Sequence, residues 1–254
     1  MGLMRTPFMC ANWKMHKTVD EALEMIDQFE GLVADVEDVE VGICAPSIDL
    51  YPLDQELKDT NIKLGAENMH YKEEGAFTGA LSPAMIKSVG CEYVIIGHSE
   101  RREIFGEDDE LINLKLKTAF EHDIKPILCI GEKLAEREED KHFARVQFQL
   151  EADLSGIPAE DVKKVVVAYE PLWAIGTGET ATPKQAEEMT KFIRDHLEEM
   201  YDKETAEAVR IQYGGSVKPW NVEEIMEQPN IDGALVGSAS LEAESFAKIA
   251  KFNE

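Results

Sequence analysis

The chain has 254 residues, 44% of them apolar, and its 51 acidic and 26 basic side chains give a formal net charge of -25 at pH 7. So negative a chain is expected to be repelled by nucleic acids and by anionic membrane surfaces. Apolar runs recur along the whole sequence, which argues against disorder, and none is long enough to cross a bilayer.

The net charge and the cysteines indicate the environment of the protein. The acidic surface has two interpretations: it is simply well solvated, or it is an adaptation to high salt, in which screening weakens self-repulsion. Cys10, Cys44 and Cys129 lie inside apolar strand-like runs, Cys91 lies just before one, and none forms a C-x-x-C pair. With no cleavable signal peptide visible, these residues predict buried free thiols and a cytoplasmic location.

Short apolar runs alternate with longer amphipathic segments along the chain. The helical segments begin with caps: Thr18 and Glu21 form a capping box, and Thr182 and Gln185 repeat it around Pro183 at the first helical position. The apolar runs are typical of strands that are covered on both faces. The predicted strands are Phe8–Asn12, Val39–Ala45, Ile62–Glu67, Tyr93–Gly97, Lys125–Ile130, Val165–Glu170, Arg210–Gly214 and Ile231–Val236.

Eight strands that alternate with helices predict an α/β protein with a parallel sheet. Eight is also the number at which such a sheet closes, so we expect a single-domain (β/α)8 barrel over residues 1–254. An open, doubly wound sheet is the alternative, but no strand is followed by a G-x-G-x-x-G turn.

Two strand ends are glycine-rich turns. In a closed parallel barrel, functional residues gather at the carboxyl ends of the strands. At Gly214-Gly215-Ser216 and at Gly237-Ser238, backbone N–H groups can approach an anion closely. A predicted helix near Leu241 would add the positive end of its dipole. Each turn alone could be plain turn geometry, but two turns on consecutive strands favour a phosphate site.

Other strand ends carry side chains that could perform acid–base chemistry. A carboxylate at Glu170 above an apolar floor would have its pKa raised toward neutrality, as suits a general base, although it could equally be paired or solvated. His98, just before Ser99 as a potential cap, could be a structural histidine or a catalytic one. Lys14 could be a surface lysine, or it could hold a phosphate ester and a developing enolate.

The connection that follows Glu170 is unusually apolar. Pro171-Leu172-Trp173-Ala174-Ile175-Gly176-Thr177-Gly178 exposes Leu, Trp and Ile in a loop bracketed by Pro and Gly. Solvated loops rarely carry so much apolar area without a reason. We therefore predict a lid that closes over the site and buries these side chains for part of the time.

Segments from the first strand to the eighth closely resemble the triosephosphate isomerase family. They are Asn12-Trp13-Lys14, Gly97-His98-Ser99-Glu100-Arg101-Arg102, Ala168-Tyr169-Glu170 with the apolar connection that follows it, Tyr213-Gly214-Gly215-Ser216 and Gly233-Ala234-Leu235-Val236-Gly237. The resemblance covers nearly the whole chain. It implies a TIM barrel that interconverts dihydroxyacetone phosphate and D-glyceraldehyde 3-phosphate through an enediolate, in glycolysis and gluconeogenesis.

The resemblance implies a role for each site residue. Glu170 would move the proton between carbons, and His98 would act as a neutral electrophile that moves protons between the oxygens. Asn12 and Lys14 would position the substrate and stabilise negative charge, with Glu100 orienting the lysine. No cofactor or metal is implied, because the substrate carbonyl already acidifies the adjacent C–H. The residues implied to bind phosphate through backbone amides are Gly176, Ser216, Gly237 and Ser238.

The family forms tight homodimers through the loop after the third strand, here Met69–Leu81. By resemblance, Thr78 at the loop tip would enter the partner subunit and support Asn12 and Lys14. The alternative is an ordinary flexible loop, although a loop of this length is usually disordered or functional.

The chain departs from the family pattern at two positions. Ala80 stands where an acidic residue usually pairs with Arg101 across the interface, which puts that ion pair in doubt but not the dimer. Ser238 stands where the phosphate turn usually has a second glycine. Backbone donation survives this change, and the serine hydroxyl could add a hydrogen bond.

Two rival functions fit the sequence less well. A lysine-dependent aldolase on the same fold would need a buried lysine at a central strand end, whereas Lys14 follows the first strand and Glu170 the sixth. A non-catalytic phosphate-binding protein would have no need of Glu170 and His98 at strand ends beneath a lid.

Overall fold

The computed structural model describes residues 5–175 and 180–253. Its parallel strands follow one another around a closed barrel in chain order, and the last strand pairs with the first. The prediction of a (β/α)8 barrel is therefore confirmed against the open sheet. The strands are β1 (Phe8–Asn12), β2 (Glu40–Ala45), β3 (Ile62–Ala66), β4 (Tyr93–Ile96), β5 (Lys125–Ile130), β6 (Val166–Tyr169), β7 (Arg210–Tyr213) and β8 (Gly233–Val236).

Helices surround the barrel, and both predicted capping boxes are present, at Thr18 and at Thr182. Within the described part of the chain, none of them has the length and apolar character that a membrane span needs. The helices are α1 (Val19–Val33), α2 (Leu50–Leu57), α3 (Pro83–Lys87), α4 (Ser99–Glu103), α5 (Asp109–Glu121), α6 (Leu134–Glu138), α7 (His142–Asp153), α8 (Ala159–Val162), α9 (Pro183–Met200), α10 (Lys203–Ala208), α11 (Val222–Met226) and α12 (Ala243–Ala250).

The barrel interior is packed with side chains and leaves no room for larger ones. A Cβ on Gly65 would lie 2.5 Å from the Sγ of Cys44, so only glycine fits at this point of β3. Cys10, Cys44 and Cys129 belong to this interior cluster. All four cysteines are free and buried, as predicted. The interior of the barrel is therefore a packed core and not a pore.

Several strands end one residue earlier than predicted. Gly97, Glu170 and Gly214 follow β4, β6 and β7 instead of ending them. A main-chain hydrogen bond nevertheless fixes Glu170, whose N–H donates to the Ile130 carbonyl over 2.7 Å. A Cβ on Gly131 would lie 1.7 Å from the Glu170 carbonyl oxygen, so the two strand ends approach this closely only because Gly131 lacks one. The backbone that carries Glu170 is thereby tied to β5.

Candidate active site

A cavity of about 370 Å³ opens at the carboxyl ends of the strands. It brings together predicted residues from β1, β4, β6, β7 and β8. Gly176, the remaining predicted phosphate residue, lies outside the described residues, as do Thr177 and Gly178 of the predicted lid. The predicted site residues that line the cavity are Asn12, Lys14, His98, Glu170, Ser216, Gly237 and Ser238.

Glu170 lies at the edge of this cavity and is only 2% exposed. Its Oε1 lies 2.9 Å from His98 Nε2, and its Oε2 accepts a hydrogen bond of 2.9 Å from the Ser99 N–H. Burial raises the pKa of Glu170, but His98 and the Ser99 N–H outweigh it, so this pKa lies below its ordinary value. The expectation of a pKa near neutrality is wrong for this arrangement, because two donors stabilise the carboxylate.

His98 caps helix α4 and is 5% exposed. Its Nδ1 accepts a hydrogen bond of 3.2 Å from the Glu100 N–H. Burial lowers the pKa of His98, but the Glu170 carboxylate raises it by more, so the net direction is upward. That upward direction favours the imidazolium, but an imidazolium has no lone pair on Nδ1 with which to accept. The hydrogen bond from the Glu100 N–H therefore opposes protonation and corresponds to a neutral ring that donates from Nε2. The neutral form is the one that the resemblance implies.

Lys14 leaves β1 in a strained backbone conformation, with φ at 56° in the left-handed region. Its N–H donates to Asn12 Oδ1 over 3.2 Å, and its Nζ donates to Glu100 Oε1 over 2.6 Å. Such strain persists only where the surroundings hold it, as at a site that must aim a side chain. Glu100 therefore contacts the lysine as predicted, and its orienting role stays a prediction.

The two glycine-rich turns follow β7 and β8 and line the same cavity. A Cβ on Gly237 would lie 3.8 Å from Lys14 Cε, so the lysine side chain passes over this turn. The helix predicted near Leu241 is a 3-10 turn at Ser238–Ser240 followed by α12. Close glycine backbone and a nearby ammonium are the features that an anion site requires.

The described part of the predicted lid is held against the barrel. Trp173 Nε1 and the Tyr169 hydroxyl each donate to Glu132 Oε1 over 2.9 Å. Leu172, Trp173 and Ile175 are half-buried, so the expectation that these apolar side chains are exposed is wrong for this arrangement. The physical reason is Glu132, which is fully buried and anchors the indole.

The loop after β3 projects from the barrel. Residues 72–80, including Thr78, are exposed in the single chain. Next to the loop, a second cavity of about 590 Å³ reaches Asn12 and Lys14 from the side. Arg101 contacts Glu107 of its own chain over 2.6 Å.

Three residues near the site escaped sequence reasoning. Glu132 anchors Trp173, Glu67 lines the second cavity, and Lys218 lines the first. The signal that could have found Glu132 and Glu67 is their position within two residues of a strand end.

As for metals, the described residues contain no group of three or more His, Cys, Asp or Glu side chains placed to hold one.

Comparisons with known proteins all point to one family. The family model described as triosephosphate isomerase matches residues 7–253. A triosephosphate isomerase of Finegoldia magna is 53% identical over 253 residues, covering 99% of this chain and all of the relative. One from Caldanaerobacter subterraneus subsp. tengcongensis is 52% identical over 249 residues, 98% of this chain and all of the relative. One from Lactobacillus acidophilus is 50% identical over 252 residues, 99% of this chain and all of the relative.

Proposed function

The chain belongs to the triosephosphate isomerase family, and we propose that it interconverts dihydroxyacetone phosphate and D-glyceraldehyde 3-phosphate. The reaction is a proton transfer through an enediolate and serves glycolysis and gluconeogenesis. One observation carries the proposal: a buried Glu170–His98 pair and the glycine-rich turn at Gly237 line a single cavity, with Lys14 beside the turn.

Glu170 is the proposed base. To take a proton from a substrate carbon, its carboxylate must leave the Ser99 N–H and His98 Nε2, because both oxygens are engaged there. Leaving these donors removes the largest causes that lower the pKa of Glu170, so the pKa moves upward, toward the working pH. The same carboxyl group then returns the proton to the neighbouring carbon.

His98 and Lys14 stabilise the negative charge that develops on oxygen. Once Glu170 has moved, the Nε2–H of the neutral His98 ring is free to donate to the substrate oxygens and to move a proton between them. Lys14, with Asn12, supplies a fixed positive charge and a polar contact, and Glu100 keeps the ammonium in place. The substrate carbonyl acidifies the C–H, so the step needs only these groups.

The phosphate group is assigned to the backbone amides after β7 and β8, at Ser216, Gly237 and Ser238, and at Gly176. The apolar connection after Glu170 would exclude water during the reaction. Exclusion of water matters, because an enediolate phosphate in water loses its phosphate group.

We further propose that residues 1–254 form one catalytic domain that acts as a cytoplasmic homodimer. Met15 and Phe105 are 95% and 65% exposed and line the cavity beside the loop that carries Thr78, which is the kind of apolar surface that a partner covers. Four buried free cysteines support a reducing compartment. Sedimentation at micromolar protein should give a dimer, and a monomer would contradict the assembly.

The test of the base is a coupled isomerase assay that compares the wild type with Glu170→Gln. We expect turnover to fall by about three orders of magnitude or more, with the fold retained by circular dichroism. Glu227→Gln, at the exposed residue that follows α11, is the matched control and should behave as wild type. Equal turnover in the wild type and Glu170→Gln would defeat the assignment.

A further inference from the structure

Lys218 and Ser238 form a polar contact at the rim of the active-site cavity. The Lys218 ammonium donates to Ser238 Oγ over 3.0 Å, and both residues line the cavity together with Gly237. Ser238 is the first residue of the 3-10 turn after β8, whereas Lys218 lies five residues beyond β7. The contact therefore joins the two turns to which the phosphate is assigned.

The backbone of Lys218 is fixed by its neighbours. Its N–H donates to Asn221 Oδ1 over 2.7 Å, and Asn221 Nδ2 in turn donates to the Ser216 carbonyl over 3.1 Å. One asparagine thus ties the lysine to the turn that carries Ser216. The Cα of Lys218 is consequently held in place beside the cavity that its side chain lines.

The charge of Lys218 is available to an anion. Among the residues that the structure describes, none offers its Nζ a carboxylate oxygen within 4.0 Å. Lys14, by contrast, is paired with Glu100.

Hydrogen-bond chemistry then fixes the direction of the serine proton. An ammonium can only donate, so Ser238 Oγ accepts and its own O–H must find a different acceptor. We propose that Lys218 and Ser238 act as an additional phosphate-recognition pair, in which the ammonium orients the serine O–H toward a phosphate oxygen and adds positive charge beside it. This inference rests on the proposed function, since it concerns the phosphate end of that substrate.

The test uses Lys218→Met, Ser238→Gly and the double variant. Lys248→Met, which removes an exposed lysine from α12, is the matched control for charge. Calorimetry measures the dissociation constant of inorganic phosphate without turnover. Steady-state kinetics then compare D-glyceraldehyde 3-phosphate with D-glyceraldehyde, which lacks the phosphate.

We expect Lys218→Met to weaken phosphate binding about five- to tenfold and Ser238→Gly about threefold, with the double variant losing less than the product of the two. KM for the phosphate ester should rise more than kcat falls, whereas Lys248→Met should match the wild type. Phosphate binding unchanged by Lys218→Met would overturn the pair, as would equal losses of kcat/KM with D-glyceraldehyde and its phosphate.

The two proposals fail in different ways. If Lys218→Met weakens phosphate binding but the wild type does not isomerise triose phosphates, the proposed function is refuted and the Lys218–Ser238 pair is supported. If the protein is an active isomerase but its phosphate affinity is unchanged by Lys218→Met and by Ser238→Gly, only the Lys218–Ser238 pair is refuted.

Discussion

Replacing Glu67 by glutamine is expected to stabilise the protein at neutral pH and to leave its stability unchanged in acid. Glu67 follows β3 and lines the second cavity. Its Oε1 is buried without a hydrogen-bond partner among the described residues. Burial raises the pKa of Glu67 to about 8, and the nearby Glu100 and Asp49 add to the shift, although the Lys14 N–H opposes it.

The sign and size of the effect follow from this pKa. Because it lies above the ordinary value of 4.5, the folded protein holds the Glu67 proton more tightly than the unfolded chain. The free energy of unfolding therefore falls as the pH rises from 4.5 to about 8. At pH 7 the loss amounts to about 3 kcal/mol, taking about 1.4 kcal/mol for each of the roughly 2.5 units above the ordinary value.

The assay is thermal and urea unfolding of wild type and Glu67→Gln at pH 5, 7 and 8.5, at one protein concentration because a dimer unfolds in a concentration-dependent way. Glutamine cannot ionise, so the variant should be nearly level with wild type at pH 5. At pH 7 we expect its midpoint to be about 6–12 °C higher. Glu227→Gln, at an exposed position outside the site and the dimer loop, is the control. Curves for Glu67→Gln and wild type that stay parallel from pH 5 to 8.5 would refute the reasoning.

Two further predictions concern the charged surface and the subunit interface. With a net charge of -25, added monovalent salt should screen self-repulsion and raise the unfolding midpoint, and a flat salt series would remove salt adaptation as an interpretation. Ala80→Glu would supply the carboxylate that the family usually places opposite Arg101 of the partner subunit. Sedimentation equilibrium should then show a dimer dissociation constant lower by about threefold or more, and no change would mean that Glu107 already satisfies Arg101.

Much of the fold could be predicted because its signals are local. Strand β1 has the predicted bounds, and the cap at Thr18 depends on a residue only three positions away. The closure of the barrel follows from the number of units, without knowledge of any single contact. The ends of β4, β6 and β7 were less predictable, because main-chain pairing across strands decides where each strand stops.

The contacts within the site could not be predicted in the same way. Motif positions were enough to bring Glu170 and His98 to one cavity. Their hydrogen bond, and with it the low pKa of Glu170, depends on how the ends of β4 and β6 lie beside each other. The anchoring of Trp173 by Glu132 joins residues 41 positions apart, and no spacing rule indicates such a partner.

The position of Glu170 explains why the phosphate end of the site matters to the chemistry at the other end. The carboxylate has to give up hydrogen bonds from Ser99 and His98 before it can reach a carbon, and each such charge-assisted bond stabilises the resting form by about 1.5–3 kcal/mol. In the proposed mechanism, binding energy from the phosphate dianion at Gly237, remote from the proton transfer, would offset the loss of these hydrogen bonds. The low pKa of the resting Glu170 and the turn at Gly237 would therefore act together. Binding of the phosphate ester at the turn would supply the free energy that releases the carboxylate from Ser99 and His98.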